Sequence, residues 1–316
     1  MRGLEIGPLA HPRVRKDEGP IRYVDHASAD ELKRKYSANK AMQELGLLGR
    51  IVDVDYVLGE GQTISKVVAQ DAPFDYVIAS HLIEHIPDPV SWMADVARIL
   101  EPGGILSLVI PDKRYCFDIN RRTSDISDIV DAHLRALTRP TYKQVYDFSS
   151  RAIDGMVDTA AVWAGTADYA GVVRTDCEDP DVAALEVCRS LDGSDEFVDV
   201  HCHVFTPDSF LTLFEKLIRL RLVDFEVAHF VSTPVNELEF YVSLRLLERG
   251  EDPGTTMQRQ LTSVITAQRG ARAEHAISKR NQSLALTMEV SEREQKLLSF
   301  KRRFLEALRG TNRANR

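Results

Sequence analysis

Apolar positions along the chain come as short, nearly continuous runs, with polar or helix-period stretches between them. Leu4-Glu5-Ile6 is a brief apolar segment that breaks at Gly7, and Tyr23-Val24-Asp25 is a second that ends in a carboxylate. Ile51–Val54 predicts a third strand and Tyr76–Ala79 a fourth. After a polar turn at Ser80 and His81, Val90 to Leu100 places apolar side chains at helical spacing. A Pro-Gly-Gly break over Pro102–Gly104 leads into a further apolar run, Ile105–Ile110, which stops at Pro111-Asp112. The runs around the break are continuous and β-branched rather than alternating, as expected for parallel strands covered on both faces. Strand, crossover helix and strand make one right-handed βαβ unit. In such sheets ligands sit beyond the carboxyl ends of the strands, so Ser80, His81, Pro111 and Asp112 line the mouth of a candidate site.

Later in the chain, Thr206 reads as a helix N-cap with Pro207 at the first helical position, followed by an amphipathic helix over Phe210–Leu220. Leu222–Phe230 and Leu238–Leu246 then predict an antiparallel ending to the sheet, turning at Asn236-Glu237. That hairpin ranks an ordinary dinucleotide-binding sheet, and with it a dehydrogenase, lower.

Read together, FDYVIASHLIEHIPDP and LEPGGILSLVIPD, with the opening Leu4–Pro8 and the carboxylate of Asp25, resemble class I S-adenosylmethionine-dependent methyltransferases. The matched span is roughly residues 3–112 and again 197–246. The resemblance implies an α/β, doubly wound, mostly parallel seven-stranded sheet whose last strand is antiparallel. Four segments follow: a cofactor-binding half over 1–114, a cap insertion over 115–197, the end of the core over 198–246 and a charged helical tail over 247–316. It implies S-adenosylmethionine as cofactor, with Glu5, Gly7 and Pro8 at the methionine end and Asp25 at the ribose. Asp53 or Asp55, after the third strand, would meet the adenine amine, Asp55 being favoured, and Ser80 and His81 would close the site.

The glycine loop departs from the family pattern. Pro8, Leu9, Ala10 and His11 follow Gly7 with no second or third glycine, although a backbone close to a ligand normally wants one. A subset of the family with proline after the first glycine resembles it more closely. The first strand begins almost at Met1, without the helix that usually precedes it. The expectation is a site more open on that side, or one covered by another part of the chain.

Methyl transfer asks little of a protein beyond holding the acceptor in line with a reactive donor. A base matters when the acceptor is a hydroxyl or a protonated amine. Candidates are His81, His203, Asp112 and Tyr115, with His81 nearest the expected acceptor and an imidazole suited to proton transfer near neutrality. The competing role for His81 is a ring packed over the cofactor. The acceptor expected is a small molecule or a sugar or glycan precursor. The non-enzymatic alternative is a degenerate methyltransferase-like domain that binds a partner through its helical tail.

The histidines also carry a metal hypothesis. His81-Leu82-Ile83-Glu84-His85 fits H-x-x-E-H, the zinc motif of inverted metalloproteases, and so raises a zinc hydrolase as a remote alternative. It follows a buried strand directly, and Pro87 and Pro89 would break the long helix that a protease needs. His201 and His203 lie on one strand face, but no residue at ligand spacing completes a site, so no metal is expected.

Composition narrows the class further. The chain has 316 residues, a net charge of −8 and four cysteines. Cys116, Cys177, Cys188 and Cys202 form no CxxC pair, which points to reduced thiols and a cytoplasmic setting. No apolar run reaches the ~20 residues of a membrane span, and the start is unlike a signal peptide. The acidic balance argues against a nucleic-acid substrate. Residues 247–316 reverse that balance, with 14 Lys+Arg against 8 Asp+Glu. Leu297, Leu298, Phe300, Phe304, Leu305 and Leu308 recur there at helical spacing. A solvated helix with one packed stripe is expected, with homo-oligomer contact or tethering to a partner enzyme as the alternatives. Between Tyr115 and Val198, Tyr142, Tyr146, Phe148, Trp163 and Tyr169 suggest a small aromatic core in the cap. The acidic stretches Asp176–Asp181 and Leu191–Glu196 mark its loops.

Overall fold

The computed structural model describes residues 1–153, 157–172, 174, 177–194, 197–248, 250 and 252–273. The first half alternates strands with short helices: β1 (Gly3–Ile6), β2 (Ile21–Asp25), α1 (Ala29–Tyr36), α2 (Lys40–Glu44), β3 (Tyr56–Val57), α3 (Ile64–Val67), β4 (Phe74–Ser80), α4 (Pro89–Ala97) and β5 (Leu100–Pro111). The cap contributes α5 (Ile126–Leu134), α6 (Tyr142–Arg151), α7 (Thr159–Ala164) and α8 (Pro180–Ser190). The chain then returns through α9 (Pro207–Arg219), β6 (Phe225–Val231) and β7 (Glu239–Leu246), and a helix over 253–273, α10, follows.

The seven strands form one sheet in the order β3-β2-β1-β4-β5-β7-β6. β1 to β5 pair in parallel, and β7 runs antiparallel to both β5 and β6. The sheet is therefore the one the resemblance implies, and the order reverses between β1 and β4. Helix starts are fixed by the residues the sequence offers. Thr206 accepts from the Ser209 N–H and Pro207 opens α9, while Asp88 accepts from Ser91 ahead of Pro89 in α4. α9 buries Phe210, Leu211, Phe214, Leu217 and Ile218 on one face, against the cluster that includes Phe225 and Phe240. Phe214 is almost fully buried, so Phe214→Ala would cost about 3–5 kcal/mol through lost transfer energy and a cavity.

Three predicted elements shift. The third strand is Tyr56–Val57 rather than Ile51–Val54. The earlier residues run extended beside the loop after β1, where the Val52 N–H donates to the Leu9 carbonyl, and ladder pairing with β2 begins only at Tyr56. The crossover helix ends at Ala97 because Leu100 already pairs with Phe74 in β5. The cap aromatics do not share a core. Val145, Val200 and Cys202 make the cap's buried centre, and only Phe148 of the aromatics packs against it. Tyr142 is exposed, and Trp163 instead stacks on Tyr115 with ring centroids 4.3 Å apart.

The tail also divides later than Leu246. The compact unit runs over Met1–Ala271, and a second unit over Arg272–Arg316 lies almost wholly outside the described residues, including the apolar stripe Leu297–Leu308. Within the first unit, α10 packs on β6. Val264 is fully buried in the main core, the Gln260 amide donates to the carbonyls of Val223 and Phe225, and Arg259 pairs with Glu226 at 2.7 Å. Among the described residues, no helix is long and apolar enough to cross a membrane.

Candidate active site

Register brings three chain segments to one level. Ile6 pairs with Val24 on one side and with Ala79 on the other, so the next residues, Gly7, Asp25 and Ser80, end three adjacent strands together. Neighbouring parallel strands lie about 4.8 Å apart, which spans the width of a nucleoside. The point where the strand order reverses, between β1 and β4, falls in the middle of this row.

Gly7 takes φ +68°, and its N–H donates to the Val24 carbonyl at 2.8 Å. A Cβ there would meet nothing within 4 Å, so backbone conformation, not crowding, demands glycine, and the space above it is open. Leu9 stands two residues on, at the second glycine position of a G-x-G loop, and itself takes φ 44°. The loop thus keeps a left-handed turn there without the glycine, at a cost of about 1–2 kcal/mol. Glu5 is buried and ties the loop back, accepting from the Arg13 N–H at 2.7 Å and from Val14 at 3.3 Å. Burial raises its pKa against those two hydrogen bonds and the Arg13 charge. Asp25 is buried at the end of β2, accepts from the His26 N–H and contacts the His26 ring at 2.7 Å. That ring is half-exposed, and its Nε2 lies 3.1 Å from the Lys35 ammonium.

Asp53 and Asp55 lie ahead of β3 rather than beyond its carboxyl end, which the structure puts at Leu58-Gly59-Glu60. Asp55 accepts from the Tyr23 N–H and pairs with Lys16 and Arg22, so its oxygens are engaged in joining β2 to the N-terminal loop. The strand shift therefore engages Asp55 away from the row of Gly7, Asp25 and Ser80, whereas Asp53 follows Val52, whose N–H reaches Leu9 in the loop after β1.

His81 follows β4 with φ 49°, a left-handed conformation uncommon for a histidine. Its Nε2 lies 2.6 Å from Glu239 at the start of β7, and its Nδ1 lies 3.7 Å from Glu84. Arg13 completes the cluster, donating to the Ser80 hydroxyl at 2.9 Å and pairing with Glu239 at 3.2 Å. Burial alone would raise the Glu239 pKa, but the His81 hydrogen bond and the His81 and Arg13 charges hold it down at about 2. A carboxylate fixed against an imidazole in this way orients the ring.

The other two expected proton acceptors are enclosed. His203 is fully buried, 3.2 Å from the Pro87 carbonyl and 3.4 Å from the Ser124 hydroxyl, and burial lowers its pKa to about 4. Asp112 is fully buried, chelated by the Arg114 guanidinium at 2.6 Å and 3.0 Å, and accepts from Thr233 at 2.7 Å. Asp112 fastens Thr233 to the end of β5, His203 joins the loop before α4 to Ser124, and neither presents a face to an acceptor. Tyr115 is likewise buried beneath Trp163 and Arg114, and burial raises its pKa. The H-x-x-E-H motif forms a single 3-10 turn over Ile83–His85 rather than a protease helix.

Residues 12–156 match the family model described as a methyltransferase domain. The strand order and the antiparallel β7 agree with the resemblance to class I S-adenosylmethionine-dependent methyltransferases. Among curated relatives, a ubiquinone biosynthesis O-methyltransferase of Maricaulis maris is 32% identical over 71 residues, covering 22% of this chain and 24% of the relative. One from Xylella fastidiosa is 39% identical over 56 residues, covering 17% of this chain and 22% of the relative. The chain thus spans about a quarter of the length of these relatives. A solved S-adenosylmethionine-dependent methyltransferase of Methanosarcina mazei covers 78% of this chain and 93% of its own, at 16% identity and a TM-score of 0.36, too low to add weight.

Proposed function

We propose that the protein transfers the methyl group of S-adenosylmethionine to a hydroxyl of a small molecule or a sugar or glycan precursor. The observation that carries this reading is the row of Gly7, Asp25 and Ser80-His81 at the switch point, with the His81–Glu239 pair beside it. Open space over Gly7 and an anion at the end of β2 fit the cofactor. When bound, S-adenosylmethionine supplies a sulfonium methyl ready for attack by a nucleophile. Gly7 and Pro8, with Glu5 shaping their loop, would hold its methionine end. Asp25 would accept from the ribose hydroxyls once the His26 ring swings aside. Ser80 would close the row.

His81 would take the acceptor's hydroxyl proton, with Glu239 holding the imidazole and balancing its charge. Such a base is needed for an oxygen acceptor and not for a neutral amine, which favours O-methylation. The names of the curated relatives point the same way. The cap lies over this edge through the Tyr115–Trp163 stack and the Trp163 indole N–H bond to the Glu237 carbonyl, and would shape the acceptor's seat. A cytoplasmic setting and association with a second copy or a partner enzyme through residues 247–316 belong to the same reading.

Isothermal titration of the full chain with S-adenosylmethionine tests it. Binding at micromolar to submillimolar concentration is expected; no heat at millimolar ligand from folded protein would sink the enzyme reading and favour a degenerate binding domain. A screen of catechols, hydroxy acids and sugar nucleotides for methylated products then tests the acceptor class.

A further inference from the structure

Behind His81 lies a buried group that the reading above does not use. Glu84 is 1% exposed, and among the described residues neither carboxylate oxygen has a hydrogen-bond partner. An ionised carboxylate buried this way is strongly penalised, and a protonated one would still leave its O–H unmatched. Burial accordingly raises the Glu84 pKa against the pull of the nearby histidines. Neither protonation state satisfies both oxygens; a cation would.

Two imidazoles face the same spot. One ligand atom each from Glu84, His85 and His201 lie within 4.8 Å of one another, and the two rings sit edge to face with centroids 4.5 Å apart. Each ring is already held on one side by a carboxylate. His85 Nδ1 lies 2.7 Å from Asp199, and His201 Nδ1 lies 2.5 Å from Asp118. Asp118 is itself fixed by Arg121 at 2.7 Å. With Nδ1 engaged, Nε2 is the nitrogen left to each ring as a ligand. A carboxylate on the far nitrogen of a histidine is the usual outer support of a metal-binding imidazole.

We propose that Glu84, His85 and His201 hold a zinc-class divalent cation, with Asp199 and Asp118 orienting the two histidines. Two nitrogens and one oxygen suit zinc, whereas magnesium and calcium prefer oxygen donors. Three protein ligands leave a fourth position for water or an acceptor oxygen. Glu84 and His85 come from the turn after β4 and His201 from the segment leading to α9, so the ion would clamp the cap's return segment to the sheet. The site stands or falls independently of methyl transfer.

The test uses the full chain, stripped with a chelator and dialysed, with zinc sulfate as the probe. One zinc per chain is expected by elemental analysis, with a rise in Tm and, for cobalt in its place, the visible absorption of a tetrahedral ion. Millimolar magnesium should not compete. Glu84→Gln should abolish stoichiometric binding. Asp199→Asn, at a side chain half-exposed to solvent, should leave the fold intact and weaken zinc binding about 10–100-fold. Stripped, folded wild-type protein that takes up no zinc would overturn the proposal. So would undiminished affinity in Asp199→Asn together with Glu84→Gln or, if the latter does not fold, with His85→Gln.

Discussion

His81 and His203 are both histidines near strand ends that proton-transfer chemistry could use, yet the fold puts them in opposite environments. His81 is about one-third exposed, stands on a left-handed backbone and meets two carboxylates. His203 is sealed between the Pro87 carbonyl and Ser124. The first environment leaves the ring within reach of solvent and an acceptor; the second penalises a charged ring. Availability for chemistry is therefore set by what crosses from β7 and from the cap, not by the residue or its place at a strand end.

The largest effect expected from this contrast is on turnover. His81→Ala should lower kcat by about 10²–10⁴, the range for losing a general base, with cofactor affinity nearly unchanged. Glu239→Gln should lower kcat in the same direction but by less. If His203→Gln reduced kcat more than His81→Ala, the contrast would be inverted.

The next effect is on stability against pH. Above about pH 6.5 the His203 ring is neutral whether the chain is folded or unfolded, and its burial carries no protonation penalty. As pH falls, the unfolded chain takes up a proton that the folded chain refuses until about pH 4. Stability should therefore drop between pH 6.5 and 4 by on the order of 2–3 kcal/mol from this residue. Urea unfolding at several pH values measures it, and His203→Gln should flatten the slope. An equal slope in the variant would mean that the ring is not the group titrating.

Smaller effects sharpen the picture at its edges. Asp25→Ala should weaken S-adenosylmethionine binding about tenfold or more, since charge-assisted bonds to two hydroxyls are lost. Unchanged affinity in the titration would remove β2 from the ribose end. Thr233→Val should cost about 1 kcal/mol of stability and leave kcat alone, because Arg114 still chelates the buried Asp112. A fall in kcat would return Asp112 to the chemistry.

Much of the sheet was legible because its strands are buried on both faces and read as apolar runs. β1, β2, β4 and β5 fall on Leu4–Ile6, Tyr23–Asp25, Tyr76–Ala79 and Ile105–Ile110, give or take a few residues at their ends. β3 was not, because Ile51–Val54 is as apolar as a strand but packs beneath the loop at Leu9 before pairing begins at Tyr56. Of the candidate site, Gly7, Asp25, Ser80 and His81 were readable from their positions after apolar runs. Arg13 and Glu239 were not. Glu239 meets His81 across 158 positions of sequence, and no local period encodes such a meeting. The lack, among the described residues, of a hydrogen bond to either Glu84 oxygen is equally invisible, since a glutamate beside two histidines looks like any polar turn.

The left-handed backbone at His81 has a bearing on heat resistance. A side chain other than glycine at φ 49° costs of order 1–3 kcal/mol. His81→Gly should relieve that burden whereas His81→Ala keeps it, so the glycine variant should melt roughly 2 °C or more above the alanine one although both lack the imidazole. Selection for thermal tolerance alone would drift toward glycine at this position. A histidine kept there marks a place where the chain gives up robustness to hold one ring at the mouth of its sheet.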